Sequence, residues 1–217
     1  MIDSDQISTK IFILSPANLR GVRGAQLDRS QFWMAASARS AAKGLSVEEA
    51  FTFTSRLYFR GKIAYARRFA VPPTACPRKG IYVIAPGFGL VAPDWTIDRG
   101  RFARLRRISV DAACDAFRKP LEAGARTVAK EIGGDTAVVL LGSLARGKYL
   151  DLLWSVFGDR LVAPEAFVGT GDMRRGALLL RAVDSGEELE YLACSGLIES
   201  MGRDLVSAPS ITARTMG

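Results

Sequence analysis

Residues 136–149, TAVVLLGSLARGKY, decide how the rest of the chain is read. The first part, Thr136–Leu141, is an unbroken apolar run rather than an alternating one, so a strand in this place is covered on both faces, as parallel strands are. Gly133, Gly134 and Asp135 turn the chain into it, and an amphipathic pattern over Lys148–Phe157 predicts a helix after it. Strand, glycine-bearing loop and helix in succession make the unit from which α/β domains are built. The second part, GSLARGKY, nearly spells a P-loop: Gly142, Gly147 and Lys148 fall in register, while Tyr149 stands where a hydroxyl for Mg²⁺ is required. A helix N-terminus beside Lys148 suits an anion, but Tyr149 is no compact magnesium ligand. Nor does a later apolar strand end in an acid, since Leu178–Leu179–Leu180 runs into Arg181. A nucleotide loop, an anion-binding loop of another kind and a plain tight connection all stay open.

Outward from this stretch the same unit recurs. Lys10–Leu14 reads as a buried strand stopped by Ser15–Pro16, and a glycine-punctuated loop, ANLRGVRGAQ (17–26), follows. Helical composition runs over Ser30–Lys43 and closes at Gly44. Ser46 and Glu49 form a capping box that opens a short helix, and a further helix covers about Arg56–Phe69, ending before Pro72–Pro73. Residues 74–80 turn into a second strand, Ile81–Ala85, followed by a rigid loop, APGFGLVAPD (85–94). Asp111–Ile132 is helical, with Pro120 kinking or breaking it. Asp172 N-caps a helix over 172–183, and a last strand is expected at Glu188–Cys194. The reading is a single α/β domain over residues 1–206, its central sheet mixed or largely parallel and flanked by helices, with a flexible tail at 207–217. A chain of 217 residues suits one such domain.

Composition narrows the chemistry. The chain has no histidine, which removes the usual general base and the commonest metal ligand. Cys76, Cys114 and Cys194 are odd in number, widely spaced and without a C-x-x-C pair, so they read as small core residues in a reducing cytoplasm, with neither a disulfide framework nor a zinc site. No metal and no cofactor are expected. The apolar runs fall far short of a membrane span, and the start, MIDSDQISTK, lacks the cationic-then-apolar order of a secretory signal. Thirty Lys and Arg against twenty-two Asp and Glu leave a formal charge of +8, which points to an anionic partner. Residues 99–107, RGRFARLRR, carry five arginines around one aromatic, and 56–68, RLYFRGKIAYARR, interleave five cations with three aromatics. Cations for phosphates with rings for stacking suit nucleic acid; two solvated helix faces with inward rings are the other reading.

In open α/β sheets ligands gather at the carboxyl ends of the strands. Three glycine-bearing loops qualify, SPANLRGVRG, APGFGLVAPD and GSLARGKY, and they are expected to meet in one anion-attracting hollow. Ser15, Asn18, Arg20 and Arg23 would form one wall and Tyr58, Arg60 and Lys62 another. Asp94, Ser143, Arg146, Lys148 and Tyr149 would lie across from them, with Arg174 and Arg175 gripping a phosphate or carboxylate at a helix start. Asp94, Lys148 and Tyr149 are the candidate catalytic groups. Asp94, the only acid in the three loops, is a general base or base-edge acceptor, or else the cap of a turn after Pro93. Tyr58 is a stacking surface or a core aromatic. Lys148 carries a substrate anion, acts as an acid, or is a solvated helix cation.

Five segments in order carry a resemblance. FILSPANLRG (12–21) resembles the strand-plus-SPA start of the YaaA family of bacterial peroxide-stress proteins, with Asn18 where that family has lysine. LYFRGKIAYARRFA (57–70) is similar to its tyrosine-bearing basic helix. IYVIAPGFGLVAPDWTID (81–98) resembles its second strand and loop, although Ala85–Pro86 replace Ser or Ala-Lys and the Pro-Tyr-Arg stretch after Asp94 is missing. VVLLGSLARGKYLDLL (138–153) resembles its strand, Leu-Ala-Ser loop and downstream tyrosine, with Ser143 and Tyr149 as the marked residues. GDMRRGALLLR (171–181) resembles its Arg-Gly helix, the last arginine one position late. The resemblance is to a distant branch. It implies a single α/β domain with a basic cleft, a link to DNA binding, iron and peroxide stress, and relatives that handle deazaguanine-type bases. The expected function is a nucleic-acid-associated protein that binds DNA or RNA and acts on a base; the alternative is an enzyme acting on a nucleotide, nucleobase or sugar phosphate.

Overall fold

The computed structural model describes residues 9–29, 44–74 and 80–198. In chain order the elements are β1 (Lys10–Leu14), α1 (Val22–Leu27), β2 (Leu45–Ser46), α2 (Val47–Ser55), α3 (Leu57–Phe69), β3 (Ile81–Ala85), β4 (Gly89–Val91), β5 (Thr96–Ile97), α4 (Arg99–Arg107), α5 (Asp115–Ile132), β6 (Ala137–Leu141), α6 (Leu150–Phe157), β7 (Leu161–Pro164), α7 (Asp172–Ser185) and β8 (Tyr191–Ala193). Six strands form one sheet in the order β4-β3-β1-β6-β7-β8, and β2 pairs with β5 in a small ribbon. The four inner strands are parallel and the two edge strands antiparallel. Every residue of β1 and β3 is buried, as their continuous apolar runs require of strands covered on both faces.

The chain first moves from β1 out to β3 and β4, then crosses back to β6 on the other side of β1. Connections from β1 and β6 therefore leave the sheet in opposite directions and open a crevice at their carboxyl ends, the place where α/β sheets bind ligands. Register puts Leu14 beside Leu141, and one further bond, Ser15 N–H to the Leu141 carbonyl at 3.0 Å, carries the pairing to the crevice edge.

Two helices on one face fix what enters that crevice. A Cβ on Gly61 would lie 2.9 Å from the Gly176 carbonyl oxygen, and one on Gly176 would lie 2.9 Å from the Tyr58 Cα. Backbone thus rests on backbone where α3 crosses α7, which brings Tyr58, Lys62 and Arg175 together. On the far rim the first residue of β1, buried Lys10, pairs with Glu188. The Tyr191 hydroxyl donates to the same carboxylate, and Tyr65 bonds both the Tyr191 hydroxyl at 2.9 Å and the Leu189 N–H at 2.8 Å.

Several elements depart from the sequence reading. APGFGLVAPD is a hairpin rather than a loop: Gly87 and Gly89 take φ of +83° and +80°, and the chain returns as β4 against β3. A Cβ on Gly89 would meet the Pro120 carbonyl oxygen at 2.3 Å. Pro120 neither kinks α5 into two helices nor starts a second one. It lies in the second turn of one unbroken helix that begins at Asp115, where proline removes a single backbone bond. The loop at 17–26 contains α1, the helix after GSLARGKY begins at Leu150, and Gly171 rather than Asp172 is the N-cap of α7. The capping box of Ser46 and Glu49 is present in full. The helix expected at 30–43, Cys76, most of the turn at 74–80 and the tail at 207–217 lie outside the described residues. Among those described, no helix is long and apolar enough to cross a membrane. Cys194 is buried, and burial pushes its thiol up to about 12, which suits packing rather than chemistry.

Replacing Gly176 by Ala is expected to destabilise the protein by roughly 1–3 kcal/mol through overpacking, measured by urea denaturation. An unchanged midpoint would show that α3 and α7 are not held in that contact.

Candidate functional site

The crevice is a cleft of about 430 Å³ lined by residues from every quarter of the fold. Ser15 to Arg20 come from the loop after β1, Ser143, Lys148 and Tyr149 from the loop after β6, and Thr54, Ser55 and Tyr58 from the corner between α2 and α3. Pro86, Arg106, Ile108–Val110 and Asp172 complete the wall. At the corner, Arg56 is the one non-glycine residue with positive φ (44°) among those described. That strain turns the chain sharply enough for Tyr58 to enter the cleft.

Its floor is built around a lysine. Lys62 is 1 % exposed, and its Nζ donates to the Ser15 carbonyl at 2.7 Å and to Ser15 Oγ at 2.9 Å. It also lies 4.4 Å and 4.9 Å from the ring centroids of Tyr58 and Phe59, a cation–π setting. No carboxylate among the described residues bonds it. Burial drives its pKa down to about 7, with Asp172 opposing the fall and Arg175 adding to it. Next to it, Gly142 has no room for a Cβ, which would lie 2.8 Å from both the Ser15 Cβ and the Tyr149 hydroxyl. The absent side chain lets Tyr149 fold back under the loop, where its hydroxyl accepts the Ser143 N–H at 2.6 Å and lies beside the Ser15 side chain. Burial raises the Tyr149 phenol above its ordinary pKa.

This answers the question posed by GSLARGKY. In a P-loop the backbone N–H groups converge on phosphate, whereas here three are spent internally. Ser143 N–H goes to Tyr149, Ala145 N–H to Ser143 Oγ, and Gly147 N–H to Asp151. Arg146 is paired with the same Asp151 at 3.1 Å. The loop positions Tyr149 and Lys148, and these three N–H groups are turned to side chains of the loop and of the helix after it.

Positive potential reaches the cleft by other routes. The helices α3, α6 and α7 all begin there without a side-chain N-cap. Asp151 and Asp172 stand in the first turns of α6 and α7, but α3 has no acid in its first turn. Its share of the helix dipole is thus opposed by no acid of its own, and the wall there holds Asp172, whose charge acts on Tyr58. Lys148, exposed at the rim, makes no ion pair among the described residues. The Tyr58 hydroxyl, in a residue 5 % exposed, comes near the Arg175 guanidinium, yet neither it nor Arg175 Nε completes a hydrogen bond. Burial pushes the Tyr58 phenol well above its ordinary pKa.

Comparison with known proteins returns no matching family model, no matching curated protein and no matching solved structure. The site is therefore read from its own geometry.

Of the residues singled out in the sequence, Ser15, Asn18, Arg20, Tyr58, Ser143, Lys148 and Tyr149 line the cleft, and Lys62 lies directly beneath Ser15. Others fall outside it or are already engaged. Asp94 is exposed and away from the cleft, because β4 runs antiparallel to β3 and carries the chain back toward the opposite rim of the sheet. Arg60 is exposed, since on α3 it stands two residues from both Tyr58 and Lys62, which share a face at i and i+4. Arg23, in α1, and exposed Arg174 do not line the cleft. Arg175 is buried and binds backbone instead of a ligand anion, donating to the Phe167 carbonyl at 2.8 Å and to Gly142 at 3.4 Å. Arg20 closes the carboxyl end of α4 by donating to the carbonyls of Arg106 and Arg107, both at 3.0 Å. Arg106 in turn donates to Leu19 at 3.0 Å and to Asp28 at 2.6 Å. Sequence reasoning missed Arg106, Thr54, Ser55, Asp172 and the Ile108–Val110 wall. Asp172, first residue of a helix aimed at a glycine-rich crevice, was within its reach; Ile108–Val110 carries no local signal.

The lysine gives a stability test. As pH rises above about 7, folded Lys62 loses its proton while the unfolded chain keeps one up to the ordinary lysine range, so stability climbs with pH. Urea denaturation at about pH 7 and about pH 9 should show that gain in the wild type and a smaller one in Lys62→Met. Equal slopes in both proteins would mean that Lys62 is not buried as described.

Proposed function

We propose that the cleft binds a small anionic metabolite of the nucleotide, nucleobase or sugar-phosphate class, and that the protein is a cytoplasmic enzyme acting on it. The observation that carries this reading is the exposed Lys148, which makes no ion pair among the described residues, in the wall of one cleft of about 430 Å³. That volume is in the range of small-molecule sites. The lysine suits a phosphate or carboxylate, and Tyr58 adds an aromatic part of the wall.

The arginine-rich stretches give less support to a polymer than their composition suggests. In α4, Arg101 donates to the Thr96 carbonyl and covers the Trp95 ring, Arg104 donates to the Gly87 carbonyl and covers Phe88, and Arg106 is held by Leu19 and Asp28. Arg67 of α3 is paired with Glu48. A second reading, a DNA- or RNA-binding stress-response protein of the YaaA type, keeps one observation in its favour: Arg56, Arg60 and Arg174 are exposed and make no ion pair among the described residues.

Thermal unfolding in the presence of inorganic phosphate, mononucleotides, nucleobases and sugar phosphates separates the two. The metabolite reading expects a rise in melting temperature with at least one monomeric ligand. In Lys148→Ala that ligand should bind about tenfold more weakly. Tyr58→Phe should raise the melting temperature of the free protein, because a buried hydroxyl without a partner costs stability. No shift with any monomer, together with oligonucleotide affinity that falls steeply with salt, would transfer the case to the second reading.

A further inference from the structure

Resting on the reading of this cleft as a metabolite site, we propose that Ser15 is a nucleophile and Lys62 its general base, so that the protein hydrolyses or transfers an acyl group carried by an anionic metabolite. Three observations support the assignment. First, Ser15 follows the last residue of the central strand, where the connections leave the sheet in opposite directions, and it lines the cleft. Second, Lys62 Nζ lies 2.9 Å from Ser15 Oγ and is oriented by a 2.7 Å bond to the Ser15 carbonyl; nucleophile and base within hydrogen-bond reach, with the base held by another group, is the geometry covalent catalysis requires. Third, no carboxylate among the described residues hydrogen-bonds or ion-pairs with this lysine, so a neutral amine able to accept a proton is within reach near neutral pH.

The groups that face the pair are Tyr58 on its own helix, Asp172 and Arg175 from α7, and Tyr149 from the loop after β6. Asp172 favours the charged lysine and Arg175 the neutral one. Tyr149, its hydroxyl beside Ser15 and anchored by the Ser143 N–H, is a positioning residue for the serine.

The chemistry balances without an outside oxidant or metal. Ser15 Oγ forms a bond to the carbonyl carbon of an ester or activated amide, its proton passes to Lys62 Nζ, and the carbonyl electron pair moves to oxygen. As the carbonyl re-forms, the bond to the leaving group breaks and that group takes the proton from Lys62. Water then gives a proton to Lys62 and its oxygen to the acyl carbon. Ser15 leaves with the proton returned, so that one ester and one water become one acid and one alcohol.

The test uses the full chain and an alkyl fluorophosphonate, from which an activated serine hydroxyl displaces fluoride, with the adduct located by tandem mass spectrometry. One adduct on Ser15 is expected, forming faster as pH rises through about 7 and then levelling, and none in Ser15→Ala. In Lys62→Met the rate should fall about 100-fold or more, with circular dichroism confirming that the variant is folded. If it does not fold, the wild-type profile decides: a plateau above neutral pH marks activation by the lysine, and a rate that keeps climbing in proportion to hydroxide overturns the proposal. Absence of a Ser15 adduct across that range also overturns it. Thermal unfolding of the wild type with inorganic phosphate is read in parallel. A shift without an adduct removes the nucleophile and leaves the ligand site, whereas an adduct without a shift removes the anionic ligand and leaves the nucleophile.

Discussion

The contact between Lys62 and Ser15 is the constraint on which the arrangement of this protein turns. Taking an ammonium group out of water costs several kcal/mol unless its donors are met. Here a carbonyl, a hydroxyl and two aromatic faces meet them where the central strand ends. To bring the lysine there, α3 must lie low over the sheet, and it does so because glycine faces glycine at its crossing with α7. The same approach places Arg175 under the loop after β6 and Tyr58 over the cleft. Strand, two helices and loop thus share one polar junction inside an otherwise apolar core.

That junction explains why net charge is a poor guide to this molecule. The formal +8 is set by a long list of arginines, yet many of their guanidinium groups are fasteners. Arg20 and Arg106 join the loop after β1 to the end of α4 from both sides. Arg101 and Arg104 tie α4 to the hairpin and lie across its aromatic rings. Planar, five-donor side chains are well suited to satisfying carbonyls at helix and turn ends. Their density in the sequence reports how many such ends this fold leaves open.

The fold was legible where burial on both faces leaves a continuous apolar run: Lys10–Leu14 and Ile81–Ala85 match their strands residue for residue, and 136–141 is one residue long at its start. It was illegible where strands are short and bounded by turn residues. Gly89–Val91 begins with one glycine at positive φ and follows another, and Leu161–Pro164 ends in proline, so both resemble loop. The hairpin had a direct cost for the site, since a loop would have left Asp94 in the cleft and a returning strand removes it. Residues fixed by strand ends, such as Ser15 and Ser143, were legible for the same reason that the strands were. Arg60 was misplaced because a basic composition carries no helical phase, and only the i, i+4 relation of Tyr58 and Lys62 tells which side of α3 faces inward.

The ion pair on the far rim has a consequence for how the chain comes to be folded. Lys10 opens the central strand, and the carboxylate that neutralises it lies 178 residues later, with Tyr191 three residues beyond that. Until that distant segment arrives, the middle of the sheet holds a cation with no partner, and its two neighbouring strands are themselves far away in the chain. A nascent protein leaving the ribosome therefore cannot complete its interior early. It must hold unfinished parallel strands until residues 188–193 have been made, as topologies dominated by distant contacts do, and that segment acts as the latch that closes the sheet.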